Sequence, residues 1–149
     1  MQNHVDPPMF RIQSIGNPVM TFPCPISLDF IQPEDLKVSD KVHVTVNPAA
    51  SCIDFKVILS YMLERETVFI GELTNRFEVK DLSSYIDEGE SEDEFQIDVD
   101  FIPMLLGIAF ANTRGYFAAE LKNTPLAPFP FPMVALEHVQ KRTTYELVK

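Results

Sequence analysis

The sequence predicts an α+β fold, a four-stranded antiparallel sheet followed by one long and one short C-terminal helix. Three observations carry that expectation. Apolar residues alternate with polar ones through successive segments between Lys41 and Val79, the period of strands with one buried face. The link between two of those segments, Glu64 to Glu66, is short enough for a hairpin, which makes its neighbours antiparallel. After them comes "FIPMLLGIAFA", an 11-residue apolar run with Pro103 near its start, and proline is tolerated in the first turn of a helix.

The elements follow in order. Phe10 to Ile15 and Val19 to Phe22 are short apolar pieces separated by Gly16, Asn17 and Pro18, turn chemistry that reads as one strand with a break or bulge. The next stretch, "FPCPISLDFIQPEDL", carries Pro23, Pro25 and Pro33. Proline cannot donate to a ladder, so this segment is a long crossover. In "KVHVTV" Val42, Val44 and Val46 share one face, and Lys41, His43 and Thr45 the other. From Asp54 to Glu64 the apolar face is Phe55, Val57, Leu59, Tyr61 and Leu63. In "TVFIGELTNRFEV" it is Phe69, Leu73, Phe77 and Val79, with Glu72, Arg76 and Glu78 opposite.

Asp87 to Glu94 holds six acids in eight residues, so residues 86–97 are expected to be a solvated acidic loop. The long helix is expected from a cap near Asp100 to about Leu121, with its acidic start suited to the helix dipole. From Met104 to Ala111 it is apolar nearly all round, more than one sheet requires, which implies a second apolar surface such as another subunit. Gly115 in mid-helix costs about 1 kcal/mol relative to Ala, and close packing there is the expected reason for it. Leu136, Val139 and Thr143 lie at helical spacing and predict the short second helix. Residues 143–149 carry no pattern and are expected to be a tail, within a single domain spanning 1–149.

Composition narrows the function. With 12 basic and 22 acidic residues the net charge is 12 − 22 = −10, which repels phosphate backbones and anionic lipid surfaces. A hydrophobic fraction of 46% places the acidity on the surface of a folded domain and not in a disordered chain. The N-terminal residues have no basic and apolar leader pattern, and no apolar run reaches the length of about 20 residues that a bilayer demands. The expectation is a cytoplasmic protein without membrane insertion.

Cys24 and Cys52 have no CxxC spacing, and His4, His43 and His138 are far apart, so no metal site or cofactor is expected. Two reduced thiols and a Cys24–Cys52 disulfide both remain open. No HExxH, GxSxG, P-loop or GxGxxG occurs. Cys52 with His43 makes a poor dyad because no third group orients it, so no catalytic residue is assigned and an enzyme is not expected. A dry pocket for a small apolar ligand would use Phe55, Tyr61 and Phe69. The proline-rich apolar segments, Phe22 to Ile31 and Leu126 to Val134, could cover the sheet or could offer apolar grooves.

Several motifs, in order, resemble the SecB-like family of protein-export chaperones. "FRIQSI" at Phe10 to Ile15 is similar to the family's opening strand, and "FIGEL" at Phe69 to Leu73 to its fourth strand with an acidic residue. "TRGYFAAELKNTPLAPF", Thr113 to Phe129, is the most specific piece, with Arg-Gly in the long helix and a Leu-Ala-Pro segment between the helices. The likeness covers about Phe10 to Arg142. It implies a homotetramer, a dimer of dimers with long helices packed between sheets, that holds unfolded preproteins without ATP and delivers them to the SecA motor. By position it implies client binding by Phe22, Ile26, Phe30, Ile31, Phe129, Phe131, Met133, Leu136 and Val139, and motor docking by Glu72. The helix residues for the oligomer interface are Met104, Leu105, Ile108, Ala111 and Gly115. Val19 stands where the best-known members carry a second docking aspartate, and Lys149 is not preceded by the family's acidic tail. A chaperone dedicated to one partner, such as an antitoxin, is the alternative within the family; a small-ligand carrier is the one outside it.

Overall fold

The structure is a computed structural model, and it describes residues 9–23, 32–89, 95–97, 101–129, 131 and 136–149. Four long strands are built from the segments whose apolar residues alternate: β1 Phe10–Thr21, β2 Leu36–Asn47, β3 Cys52–Leu63 and β4 Glu66–Val79. β2, β3 and β4 form an antiparallel meander, and β1 returns to pair antiparallel with β4. The crossover between β1 and β2 is required by this order, since the two lie on opposite sides of the meander.

Both meander links are tight. The β2–β3 turn closes through Ser51 N–H donating to the Pro48 carbonyl at 3.1 Å, with Ser51 at φ 52°. At the β3–β4 link Glu64 takes the left-handed conformation, φ 57°, which hairpins of this length favour because it matches strand twist. In β1 the expected break is a register shift between Gly16 and Val19, with Asn17 at φ 52°. The one extra residue there bulges, so the strand resumes pairing with β4 instead of ending.

With β7, Thr143–Leu147, the sheet has five strands, not four, in the order β1-β4-β3-β2-β7, and it is mixed. Within the supposed acidic loop, β5 Ile86–Glu88 pairs antiparallel with β6 Phe95–Ile97 as a separate two-stranded ribbon. After the helices, β7 Thr143–Leu147 runs parallel to β2, so these residues are a strand and not a tail, and Thr143 belongs to it and not to the helix. β7 escapes sequence patterning because its side chains are mostly exposed: its place is set by backbone bonds to a waiting edge, which no side-chain periodicity records.

Helix α1, Ile102–Glu120, carries Pro103 in its first turn, as expected. Asp100 lies outside the described residues; the cap position is Phe101, which is buried and gives no side-chain hydrogen bond. α1 lies across β3 and β4. Its Ile102, Leu105, Leu106, Ala109, Phe110 and Phe117 are buried together with Phe55, Leu59, Leu73 and Phe77 of the sheet. At about 1.5–3 kcal/mol per fully buried large apolar side chain, this one layer is the main stabilising element. Helix α2, Leu136–Lys141, is short and adds Val139 to the same core.

Candidate functional site

Phe69 of β4 stands at the centre of an aromatic cluster. Ring centroids of Phe22, Phe117, Phe131 and Tyr61 lie 5.4, 5.7, 6.1 and 6.2 Å from it. Phe131 stacks on Tyr61 at 4.5 Å with planes 13° apart, the offset-stacked spacing that aromatic pairs favour. Glycine at position 71 makes the cluster possible: a Cβ there would come within 2.8 Å of Phe117 and Phe69 ring atoms.

The proline-punctuated segment is fastened to this cluster by its backbone. The Tyr61 hydroxyl donates to the Phe129 carbonyl, and Arg114 of α1 donates to the Phe131 carbonyl from Nε at 3.2 Å and Nη2 at 2.9 Å. Burial pushes the Tyr61 phenol up to about 12, because an ionised ring would be poorly solvated there. One level deeper, Asn75 Nδ2 donates to Thr113 Oγ1 and Asn112 Nδ2 to Asn75 Oδ1, both at 3.2 Å. This polar link fixes the helix over β4.

At the surface the cluster opens onto an apolar strip. Phe22 is 45% exposed and Phe129 half-buried. Along β1, Ile12 pairs with Phe77, Ile15 with Asn75 and Met20 with Gly71. Cross-strand partners share a face, and these partners are buried beneath α1, so Ile12, Ile15 and Met20 lie on the helix side of the sheet. Yet all three are exposed, because α1 covers β3 and β4 and stops short of the edge strand. Sequence reasoning assigned β1 no site residues; the signal was its apolar content, which a buried strand would explain equally well.

Among the other expected client residues, Phe131 and Val139 are buried, 4% and 1% exposed, within the protomer's own core. Leu136 opens α2. Ile26, Phe30, Ile31 and Met133 lie outside the described residues, as does Cys24. The rings of Phe55, Tyr61 and Phe69, the residues expected for a small apolar ligand, are packed against Phe77, Phe131 and Phe117 respectively.

The opposite face of the sheet is polar and internally paired. Glu72 is half-buried and its carboxylate lies 3.3 Å from Lys56 Nζ; Arg76 grips Asp54 through two 2.7 Å bonds, and Arg11 meets Glu78 at 2.6 Å. Asp54 raises the Arg76 pKa by that hydrogen bond. Val19 stands opposite Glu72 in the β1–β4 register. Cys52 is a buried thiol, its pKa raised by desolvation, whereas His43 contacts Thr144 and Glu146, so the two make no dyad.

On α1, Met104, Ala111 and Gly115 are exposed and Ile108 is half-buried, forming one outward stripe. Leu105 does not join them: it is fully buried against the protomer's own sheet, because it is one position, about 100°, off the stripe. The expected close contact at Gly115 is absent among the described residues, where nothing approaches within 4 Å of a Cβ. Gly71, by contrast, is closely packed. No described helix is long and apolar enough to cross a membrane.

The geometry defines a mixed sheet with a helix layer that leaves an edge strand uncovered, and the fold as a whole has a solved counterpart. The chain is similar in fold to a Mycobacterium tuberculosis protein, the Rv1957 SecB-like chaperone, solved in complex with a ChAD peptide from the Rv1956 HigA1 antitoxin. The TM-score is 0.50 at 12% identity, over 85% of this chain and 90% of that one. No protein-family model matches the chain, and no curated protein matches it. The likeness is therefore one of fold, SecB-like in its α+β architecture.

Proposed function

We propose that the chain is a SecB-like molecular chaperone that holds unfolded polypeptide without ATP. The observation that carries this reading is the apolar strip of Ile12, Ile15, Met20 and Phe22, exposed on the helix side of β1 and running into the aromatic cluster at Phe129. A contiguous apolar surface of this kind marks an interaction site, and an extended client offers it alternate apolar side chains and backbone bonds along the strand edge. The fold likeness to the Rv1957 SecB-like chaperone supports the same reading. Ile26, Phe30, Ile31, Met133 and Leu136 are proposed to extend the client surface.

The partner readings divide at this point. A general holdase serves unfolded preproteins, in which case Glu72 is the proposed contact for SecA and must exchange its Lys56 pair. A dedicated chaperone serves one partner; that the similar protein was solved with an antitoxin peptide favours this second reading. The outward α1 stripe of Met104, Ile108, Ala111 and Gly115 is proposed as the packing surface of a dimer of dimers.

The test is aggregation of a chemically unfolded client at several-fold excess of this protein in ATP-free buffer. Light scattering is expected to fall to a small fraction of the control; unchanged scattering overturns the holding function. Capture from the native host separates the partner readings, since a dedicated chaperone returns one dominant small protein.

A further inference from the structure

At the opposite end of the sheet from β1, the edge of β2 is already occupied by a strand, and the occupant is held lightly. β7 pairs in parallel with Val42 to Val46, and Val148 N–H adds a 2.8 Å bond to the Val46 carbonyl. Little apolar surface is sealed by it: Thr144, Tyr145 and Glu146 are exposed and Leu147 only half-buried. What β7 offers besides backbone is polar. Thr144 Oγ1 lies 2.6 Å from His43 Nδ1, and the Glu146 carboxylate 3.2 Å from His43 Nε2. Beside them is a cavity of about 280 Å³ lined by Lys41, His43, Lys56, Ile58 and Thr144, a concentration of basic groups in a chain of net charge −10. Lys56 is shared with Glu72.

The closed arrangement also carries a cost. Asp40 of β2 is buried, its side chain 4% exposed, and its Oδ2 reaches Arg142, the residue joining α2 to β7, only at 3.6 Å. Among the described residues its Oδ1 has no partner. A buried carboxylate oxygen left without a hydrogen bond is destabilising relative to a hydrated one, and this one sits two residues before the β7 ladder begins at Val42.

We propose that the β2 edge is a strand-acceptor site for an extended polypeptide segment carrying a hydroxyl and, two residues later, a carboxylate, and that β7 is its displaceable cover in cis. An incoming strand of that pattern replaces the parallel ladder, places its hydroxyl and carboxylate on His43, and gains the positive charge of Lys41 and Lys56. The site is separate from the apolar strip on β1, so its test and that of the holding function succeed or fail independently.

The probe is a fluorescently labelled peptide with the sequence of Thr143 to Lys149, titrated by anisotropy into the full chain. Binding to the wild type is expected, and the same peptide with lysine in place of its glutamate is expected to bind at least tenfold more weakly. A lock, Thr45→Cys with Glu146→Cys, joins residues opposite each other in the register; when oxidised it is expected to reduce binding at least tenfold relative to the reduced form. No binding to the wild type, equal binding of the lysine peptide, or binding indifferent to the lock overturns the proposal. Should the double variant not fold, hydrogen exchange on the wild type decides: amides of 143–147 are expected to exchange at least tenfold faster than those of 53–61, and equal protection overturns it.

Discussion

Gly71 is the residue on which the aromatic cluster turns, because any side chain there collides with Phe117 and Phe69 at 2.8 Å. Gly71→Ala is expected to destabilise by about 1–3 kcal/mol, the usual cost of overpacking a filled core, read as a lower urea midpoint at unchanged slope. Tyr61 gives a pH signature. Its folded pKa is raised to about 12 from the ordinary 10, so the folded state holds the proton more tightly than the unfolded chain does. The stability this contributes is complete below pH 10 and is lost as pH rises from 10 through 12. Denaturant titrations across that window are expected to show the loss in the wild type and a smaller loss in Tyr61→Phe. Phe131 and Phe129 differ in kind although they are two residues apart. Phe131→Ser removes a buried stacked ring and is expected to cost about 3 kcal/mol or more of stability. Phe22→Ser and Phe129→Ser, at the surface of the cluster, are expected to leave the urea midpoint nearly unchanged and weaken client binding about tenfold, as loss of about 1.4 kcal/mol of apolar contact does.

On the proposed dimer of dimers, the two faces of α1 separate protomer stability from assembly. The inward face, Leu105, Leu106, Ala109 and Phe117, is wholly buried, whereas Met104, 47% exposed, begins an outward stripe without charge. Ala111→Arg adds a large cation to that stripe without touching the core. It is expected to shift the assembly to a smaller species by light scattering while the circular dichroism spectrum and melting temperature of the protomer stay close to wild type; an unchanged mass would place the subunit contact elsewhere. At the sheet edges the contrast runs the other way. β1 is a 12-residue strand with apolar side chains exposed at one end of the sheet, and β7 is a short polar strand at the other. An uncovered apolar edge is a hazard unless something pairs with it, and client capture is the use that the proposed holding function would make of it.

Among the described residues the ion-paired charges of the sheet and the exposed apolar strip lie on different faces. The outer face of the sheet neutralises itself through Lys56–Glu72, Arg76–Asp54 and Arg11–Glu78, while the helix side presents apolar residues at β1 and α1. Client holding by apolar contact is thus expected to survive added salt: raising sodium chloride from low to about 0.5 M screens charges beyond a few ångströms and should leave aggregation suppression intact. A strong loss with salt would instead assign holding to the acidic surface.

How much of this was legible in the sequence follows from which forces act locally. Alternation in β2, β3 and β4, the turn residues between the two halves of β1, and Pro103 at the start of α1 each reflect the preferences of neighbouring residues, so the meander and the long helix could be read directly. The resemblance of the Thr113 to Phe129 segment to SecB-like proteins pointed to the same architecture. β7 could not be read, because a strand that adds to an edge by backbone bonds needs no apolar period of its own. Nor could the sequence tell which rings are wall and which are core: Phe22, Phe129 and Phe131 are the same residue type, and only the reach of α1 across β3 and β4 leaves one ring buried and two at the surface. The sequence by itself determined the four long strands, the two helices and the acidity; the tertiary structure alone decided that β1 stays uncovered and that β2 is covered by β7 of the same chain, since both depend on distant segments meeting in space.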